Sequence, residues 1–223
     1  MKLYPIVLKL DDRICSFVGG GKSIYKKIYD LLPYSPKIFL LAEYIIDELE
    51  ELVQNQKKII WIKYINYQIL LKSYLIFLSD EKVIKNQIEY EANPSNELDT
   101  VLKFAKKYSK FVSFLDRPQY CDFYNTHIYE KDSILVSIST YGHAPVVGKY
   151  IKKKLDEIIT DDLIKLTEFL SKYRSKIIAQ IKDFEKRKQL YDQLLQPSFL
   201  EVLRNSEDEA LGILLQLLIQ YSK

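Results

Sequence analysis

Cysteine and histidine are scarce in this sequence of 223 residues. The two cysteines, Cys15 and Cys121, are too few for a disulfide framework. Because Cys15 also falls inside the pattern of a buried strand, we expect a reduced, cytoplasmic protein. The two histidines, His127 and His143, show no fixed metal-ligand spacing. They are either ordinary hydrogen-bonded side chains or weak candidates for handling iron or cobalt, so no resident metal is predicted.

Long apolar runs and an excess of one charge are also missing. No stretch approaches the roughly 18 uncharged apolar residues of a membrane span, and residues 1–13 lack the apolar core and cleavage site of a secretion signal. The net charge is only +3, from 33 basic and 30 acidic residues, which is too balanced to indicate nucleic acid. We therefore expect a globular protein without membrane or nucleic-acid partners.

Half of the six glycines stand together at Gly19, Gly20 and Gly21. They follow an apolar run typical of a buried strand and precede a segment with helical spacing, in the sequence ICSFVGGGKSIYKK. A strand, a glycine turn and a helix form the phosphate-binding corner of dinucleotide-binding folds. The match to G-x-G-x-x-G/A is incomplete, because Ile24 stands where a small residue normally lets helix and strand pack closely. The pattern is thus either a nucleotide site or a plain glycine turn.

Strand and helix patterns alternate along the first half of the chain, which favours an α/β, Rossmann-like parallel sheet. Strands are predicted at residues 4–8, 14–18, 37–42, 58–64, 74–78, 111–115 and 134–139. Helices are predicted at residues 22–32, 45–53, 97–108, 145–158, 161–188 and 207–221, and residues 82–92 are predicted as a helix with a short extension. No strand pattern occurs after Thr160, so a helical C-terminal region is expected.

Two acidic residues lie just after predicted strands, where open sheets hold their ligands. In dinucleotide folds, an acidic residue about 20 positions after the glycines accepts hydrogen bonds from the ribose hydroxyls. Glu43 lies at about this distance from the glycines. It is either that acceptor or a charge at the start of a helix. Asp116 follows the strand at residues 111–115, and it is either a functional carboxylate or a cap for the next turn.

Three blocks of sequence resemble the siroheme synthase N-terminal family. MKLYPIVLKLDDRICSFVGGGKSIYKK resembles the family's opening, a Y-P-x-x-L strand followed by V-G-G-G and a basic helix. FVSFLDRPQYCDF resembles its N-V-V-D-x-P-x-x-C-D-F block. SISTYGHAPVVGKYIKKKLDEI resembles its I-S-T-G-G-x-S-P segment and the helix that follows. The blocks occur in the family's order and, with the helical tail, cover most of the chain.

The resemblance implies an NAD-dependent precorrin-2 dehydrogenase that forms sirohydrochlorin, and some members also insert Fe²⁺ into this product. It implies a homodimer with an NAD-binding domain at residues 1–115, a small α+β dimerisation region at residues 116–149 and a helical domain at residues 150–223. It also implies roles for matched residues. These are Gly19, Gly21, Lys22 and Ser23 at the pyrophosphate, Glu43 and Tyr44 at the adenosine ribose, Asp116 as general acid/base, and Thr140, Tyr141, Gly142 and His143 at the substrate.

The sequence departs from the family at several of these positions. Tyr141 replaces the first glycine of the G-G pair, and His143 and Ala144 replace the residues before the proline. The spacing from Asp80 to Asp116 is longer than in the family, which predicts an insertion within residues 89–96.

Seven basic residues cluster in sequence near the segments expected to form the cleft. They either attract the polycarboxylate substrate or form solvated helix faces. They are Arg117, Lys149, Lys152, Lys153, Lys154, Arg174 and Lys176.

Two other functions stay open beside the dehydrogenase. The first is a chelatase that does not use NAD, since Ile24 could hold the helix away from the strand. The second is a non-catalytic dimer that binds a tetrapyrrole or nucleotide.

Overall fold

The computed structural model describes residues 2–115 and 117–222, with Ser95 described by its backbone alone. The chain forms two compact units, the first ending at Tyr124 and the second beginning at Asn125. The three predicted domain ranges, 1–115, 116–149 and 150–223, stay a prediction. Among the described residues, no helix is both long and apolar enough to cross a membrane.

The first unit contains a five-stranded parallel sheet, which confirms the predicted α/β, Rossmann-like class. Its elements are β1 (Ile14–Val18), α1 (Lys22–Leu31), β2 (Lys37–Leu41), α2 (Asp47–Asn55), β3 (Ile59–Ile62), α3 (Tyr67–Lys72), β4 (Leu75–Leu78), β5 (Val83–Lys85), β6 (Ile88–Tyr90), α4 (Ser95–Lys107) and β7 (Phe111–Phe114). The strands of the sheet lie in the order β3-β2-β1-β4-β7. The strand order reverses at β1, because β2 lies on one side of it and β4 on the other. Ligands of such sheets bind at this reversal, beyond the carboxyl ends of the strands.

Helices cover both faces of the sheet, which explains why its strands are continuous apolar runs. Phe17 of β1 and Phe77 of β4 stack at 4.7 Å between ring centroids and share one buried cluster with residues of α1 and α2. Their neighbours Val18 and Leu78 point to the other face, where they pack with residues of α3 and α4. The two clusters hold the carboxyl ends of β1 and β4 rigidly beside each other.

The second unit combines a hairpin with helices. Its elements are β8 (His127–Lys131), β9 (Ile134–Ile138), α5 (Pro145–Ile158), α6 (Asp161–Gln180), α7 (Phe184–Leu194), α8 (Pro197–Asn205) and α9 (Glu207–Ser222). β8 and β9 pair antiparallel, and Tyr129 of β8 is buried with Ile159 and Ile164. The four helices after α5 enclose a separate apolar core.

Three predicted elements are wrong. Residues 4–8 form no strand, and Tyr4, Ile6 and Val7 are exposed. Residues 82–92 form the antiparallel hairpin β5–β6 rather than a helix. The predicted helix at 161–188 is two helices, because Asp183 caps the start of α7 by accepting a hydrogen bond from the Lys186 N–H.

Candidate functional site

The glycine corner lies where the strand order reverses. Gly19 has φ +131°, which suits glycine. A Cβ on Gly20 would lie 1.9 Å from the carbonyl oxygen of Tyr44, and the Ile46 N–H donates to the Gly20 carbonyl at 2.9 Å. Gly20 therefore needs to be glycine, because the backbone after β2 packs directly against the backbone of Gly20.

The start of α1 already holds an anion from the chain itself. The Ser23 N–H donates to Oε2 of Glu81, with 2.7 Å between nitrogen and oxygen. A Cβ on Gly21 would lie 2.6 Å from the same carboxylate oxygen. Unpaired N–H groups and the helix dipole favour negative charge at this position. The predicted pyrophosphate residues Gly21 and Ser23 thus lie together at an anion position that Glu81 occupies.

Ser79 links this position to the end of β4. Its hydroxyl lies 2.9 Å from the hydroxyl of Ser23 and accepts a hydrogen bond from the Glu81 N–H at 3.2 Å. Sequence reasoning identified neither Ser79 nor Glu81 as a residue of the site. The available signal was a polar stretch directly after a buried strand, at the sheet edge where ligands bind.

A cleft of about 210 Å³ opens beside Glu81. Its lining residues are Ser79, Asp80, Glu81, Lys82, Glu91, Ala92 and Asn93. Asn93 is only 8% exposed, and its Oδ1 has no hydrogen-bond partner in the described part of the chain. An unpaired buried amide oxygen is costly, and a ligand that donates a hydrogen bond would remove this cost.

The predicted adenosine-side residues lie beside the hairpin β5–β6. The ring of Tyr44 stacks on Tyr90 of β6 at 4.7 Å, and the Glu43 N–H donates to the Ala92 carbonyl at 2.9 Å. The Glu43 carboxylate raises the pKa of the Tyr44 phenol through its charge and a hydrogen bond. Both side chains are exposed, and their role toward a ribose stays a prediction.

Ile24 fits beneath the glycine corner. Its side chain is fully buried, and a Cβ on Gly19 would lie 3.3 Å from Cγ1 of Ile24. The branched side chain occupies space that Gly19 leaves free, so α1 packs on the sheet without a small residue at this position. Lys22, at the first position of α1, is exposed.

Asp116, the predicted acid/base, lies outside the described residues. On one side of it, the Leu115 N–H donates to the Leu78 carbonyl at 2.8 Å. On the other, the Arg117 guanidinium pairs with Asp80 just beyond β4 and lies 5.1 Å from the Phe114 ring centroid. These contacts join the carboxyl ends of β4 and β7.

The predicted substrate residues form the turn between β9 and α5 in the second unit. Tyr141 has φ 55° and Gly142 φ 79°, and the His143 N–H donates to the Thr140 carbonyl at 3.0 Å. Tyr141 thus adopts the left-handed conformation that the family's glycine takes readily. Tyr141 is 52% exposed, and its role toward a substrate stays a prediction.

The histidines and cysteines do not form a metal cluster. Within residues 2–115 and 117–222, no three His, Cys, Asp or Glu side chains are grouped to hold a metal ion. The ring of His127 packs on Gly148, where a Cβ would lie 2.2 Å from Cδ2. Burial raises the pKa of the Cys15 thiol to about 12, and the Cys121 thiol donates to the Phe114 carbonyl at 3.2 Å. The side chains of His127, Cys15 and Cys121 therefore pack or hydrogen-bond, and His143 is exposed.

The chemical groups at the corner and in the cleft suit a dinucleotide once Glu81 leaves the start of α1. The helix offers N–H groups to a pyrophosphate, Gly21 leaves space beside them, and Asn93 offers an acceptor to a ribose hydroxyl or a carboxamide.

Two family models match the chain in succession. The first, described as "Putative NAD(P)-binding", matches residues 6–127. The second, described as the sirohaem synthase dimerisation region, matches residues 163–219. The glycine corner and the cleft both lie within the first match.

Curated relatives and a solved structure resemble most of the chain. A siroheme synthase of Mannheimia succiniciproducens is 26% identical over 212 residues, which are 94% of this chain and 42% of that protein. A siroheme synthase of Psychrobacter cryohalolentis is 26% identical over 214 residues, 95% of this chain and 38% of that protein. The chain thus spans about two fifths of the length of these relatives.

Among solved structures, SirC, precorrin-2 dehydrogenase, shares the fold with a TM-score of 0.64 and 19% identity, covering 96% of this chain and 100% of that one. The NAD(P)-binding model alone covers more than half of the residues. The chain therefore belongs to the siroheme synthase N-terminal family, as its three sequence blocks predict.

Proposed function

We propose that the protein is an NAD-dependent precorrin-2 dehydrogenase that forms sirohydrochlorin. The observation that carries this proposal is the glycine corner at the strand reversal, with an anion position at the start of α1 and an unpaired acceptor at Asn93. Membership of an NAD(P)-binding family supports a dinucleotide as the ligand. The names of similar proteins, siroheme synthase and precorrin-2 dehydrogenase, support the choice of substrate.

The cofactor residues follow from the corner. Gly19, Gly21, Lys22 and Ser23 would hold the pyrophosphate, and Glu43 and Tyr44 the adenosine ribose. When bound, NAD⁺ supplies the acceptor for the hydride that precorrin-2 loses. A proton must also leave the macrocycle, and we propose that Asp116 accepts it.

The substrate residues are proposed on the family match. Thr140, Tyr141, Gly142 and His143 would contact the macrocycle, and the polycarboxylate would be attracted by cations. Lys149, Lys152 and Lys153 are exposed on α5, which suits this role. Lys154 pairs with Glu157 at 2.6 Å and is a weaker candidate. Arg117 is engaged by Asp80 and is a weaker candidate.

We further propose a cytoplasmic homodimer that also takes Fe²⁺ as a substrate for insertion into sirohydrochlorin. The dimerisation-region match at residues 163–219 supports the dimer. Light scattering of the purified protein tests it, because a monomer at micromolar concentration would contradict the proposal.

An anaerobic absorbance assay tests the reaction. Precorrin-2 alone should stay unchanged, addition of NAD⁺ should give sirohydrochlorin with one NADH formed for each molecule oxidised, and Fe²⁺ added afterwards should give siroheme.

Asp116→Asn should lower the NAD⁺-dependent rate by about 100-fold or more, as expected for loss of a general base. Full activity of this variant would contradict the role of Asp116.

One observation favours a second candidate function, a chelatase without NAD. The carboxylate of Glu81 and the backbone of Tyr44 already fill the space around the glycines. If this filling were permanent, NAD⁺ would leave precorrin-2 unchanged, while Fe²⁺ would still be inserted into sirohydrochlorin supplied directly as the substrate.

A further inference from the structure

Glu81 stands out because it is an anion placed where an anionic ligand is expected. Its Oε2 accepts the Ser23 N–H at 2.7 Å, and its Cγ, Cδ and Oε2 all lie within 2.8 Å of the position of a Cβ on Gly21. A carboxylate oxygen and a pyrophosphate oxygen cannot occupy the same position at the Ser23 N–H. Binding of either therefore excludes the other.

The neighbourhood of Glu81 contains a second group that suits a ligand, a buried hydrogen-bond acceptor. Asn93 lines the same cleft, is more than nine-tenths buried and leaves Oδ1 without a partner in the described residues. The carboxylate satisfies the helix start but offers nothing to this acceptor, because both are acceptors. A dinucleotide has pyrophosphate oxygens for the helix and hydroxyl or amide donors for Asn93.

We propose that Glu81 is a built-in competitor that occupies the pyrophosphate position of the free protein and sets its affinity for the dinucleotide. The inference rests on the proposed function for the identity of the ligand. Binding then exchanges the Ser23–Glu81 hydrogen bond for one to phosphate, and the exposed carboxylate is released to solvent.

The hydrogen bonds of Glu81 explain why the exchange is feasible. The side chain is exposed and its Oε2 is bound by one backbone N–H, so it can leave without unfolding a core. The backbone of Glu81 stays attached to Ser79, whose hydroxyl accepts the Glu81 N–H. If the carboxylate occupies the position about nine-tenths of the time, the apparent affinity for the dinucleotide falls about tenfold.

Calorimetric titration of NAD⁺ into the full chain tests this proposal with two variants. Glu81→Ala removes the competitor and should tighten NAD⁺ binding about tenfold. Glu81→Asp keeps the charge but shortens the side chain, and it should tighten binding several-fold. Glu51→Gln is the control, because it removes one exposed charge from α2 in the same unit, and it should leave the affinity within twofold of the wild type.

Equal affinities in the wild type and both Glu81 variants would overturn the proposal while leaving NAD⁺ binding intact. The proposal would also be overturned if Glu81→Ala bound NAD⁺ more tightly than the wild type and Glu81→Asp did not. Loss of the negative charge alone would then explain the tighter binding. Titration with inorganic pyrophosphate separates the competitor role of Glu81 from the proposed dehydrogenase function. Suppose that neither the wild type nor any variant binds NAD⁺, but Glu81→Ala and Glu81→Asp bind pyrophosphate more tightly than the wild type. The competitor role is then supported and the dehydrogenase function is not. If the variants bind neither NAD⁺ nor pyrophosphate more tightly than the wild type, both proposals are overturned.

Discussion

At the scale of single residues, Gly20 is the position least able to accept a side chain. A Cβ there would lie 1.9 Å from the Tyr44 carbonyl oxygen and 2.9 Å from the Ile45 Cα. Both atoms are backbone, so they cannot rotate away. We expect Gly20→Ala to lower the free energy of unfolding by about 3 kcal/mol, the upper range for overpacking.

Gly212 provides the matched control for this substitution. It lies in α9, and in the described part of the chain a Cβ there would meet no atom within 4 Å other than those of its chain neighbours and of its own helix backbone. Gly212→Ala should raise stability by about 0.5–1 kcal/mol, because alanine favours helix. Urea unfolding followed by circular dichroism measures both changes. A Gly20→Ala variant as stable as the wild type would show that residues 44–46 do not cross the corner.

The candidate site was only partly predictable from single residues. The glycines and Ser23 are close together in sequence and form a recognisable pattern, so their position at the start of α1 was predictable. Glu81 and Asn93 lie far from them in sequence and reach the corner through β4 and the hairpin. Their importance depends on one carboxylate rotamer and one missing hydrogen bond, which no sequence pattern encodes.

At the scale of elements, two side chains of the hairpin β5–β6 hold it against the segment after β2 and against α2. Tyr90 stacks on Tyr44 at 4.7 Å, and Lys85 pairs with Glu50 at 2.5 Å and Asp47 at 3.2 Å. We expect Tyr90→Ala to lower the stability of the first unit by about 1 kcal/mol, the usual value of an aromatic pair.

Unfolding followed by the fluorescence of Trp61, the only tryptophan, measures this change in the first unit. Ile84→Ala is the control, since Ile84 lies on the same hairpin but is 67% exposed. Equal stability of the two variants would show that the stacking does not hold the hairpin.

An ion pair between α6 and α8 makes the helical unit sensitive to acid. The Arg204 guanidinium donates to both carboxylate oxygens of Asp162, and this hydrogen bonding lowers the pKa of Asp162 below its ordinary value of 3.8. Because the pKa of Asp162 is lower in the folded state, its ionised form stabilises the protein at pH values above the ordinary pKa. This stabilisation is lost as the pH falls below the ordinary pKa. Asp162→Asn should therefore melt at a lower temperature than the wild type at pH 7.

The difference in melting temperature should shrink as the pH is lowered through and below 3.8. Thermal unfolding at a series of pH values measures it. A difference that stays constant with pH would mean that Asp162 contributes by packing rather than by charge.

The predicted elements succeed where tertiary packing and local pattern agree. The buried strands around Phe17 and Phe77 are apolar over their whole length, and both were predicted. The hairpin was missed because its turn uses Asn86 and Gln87, with φ 49° and 64°, and glutamine is not a usual residue at such a turn. The break before α7 is marked by Asp183, but the apolar stripe continues across it and suggested one helix.

At the scale of the whole molecule, each unit has its own core. The sheet is packed on both faces, and the four C-terminal helices enclose a separate cluster. The glycine corner and the cleft belong entirely to the first unit. A dinucleotide that binds there should therefore protect segments of the first unit that are distant in sequence.

Amide hydrogen exchange of the full chain with and without NAD⁺ tests most directly whether the cofactor uses this corner. We predict slower exchange in residues 19–25 and 79–93 when NAD⁺ is bound, with the four C-terminal helices unchanged. Unchanged exchange in both segments at saturating NAD⁺ would contradict the account.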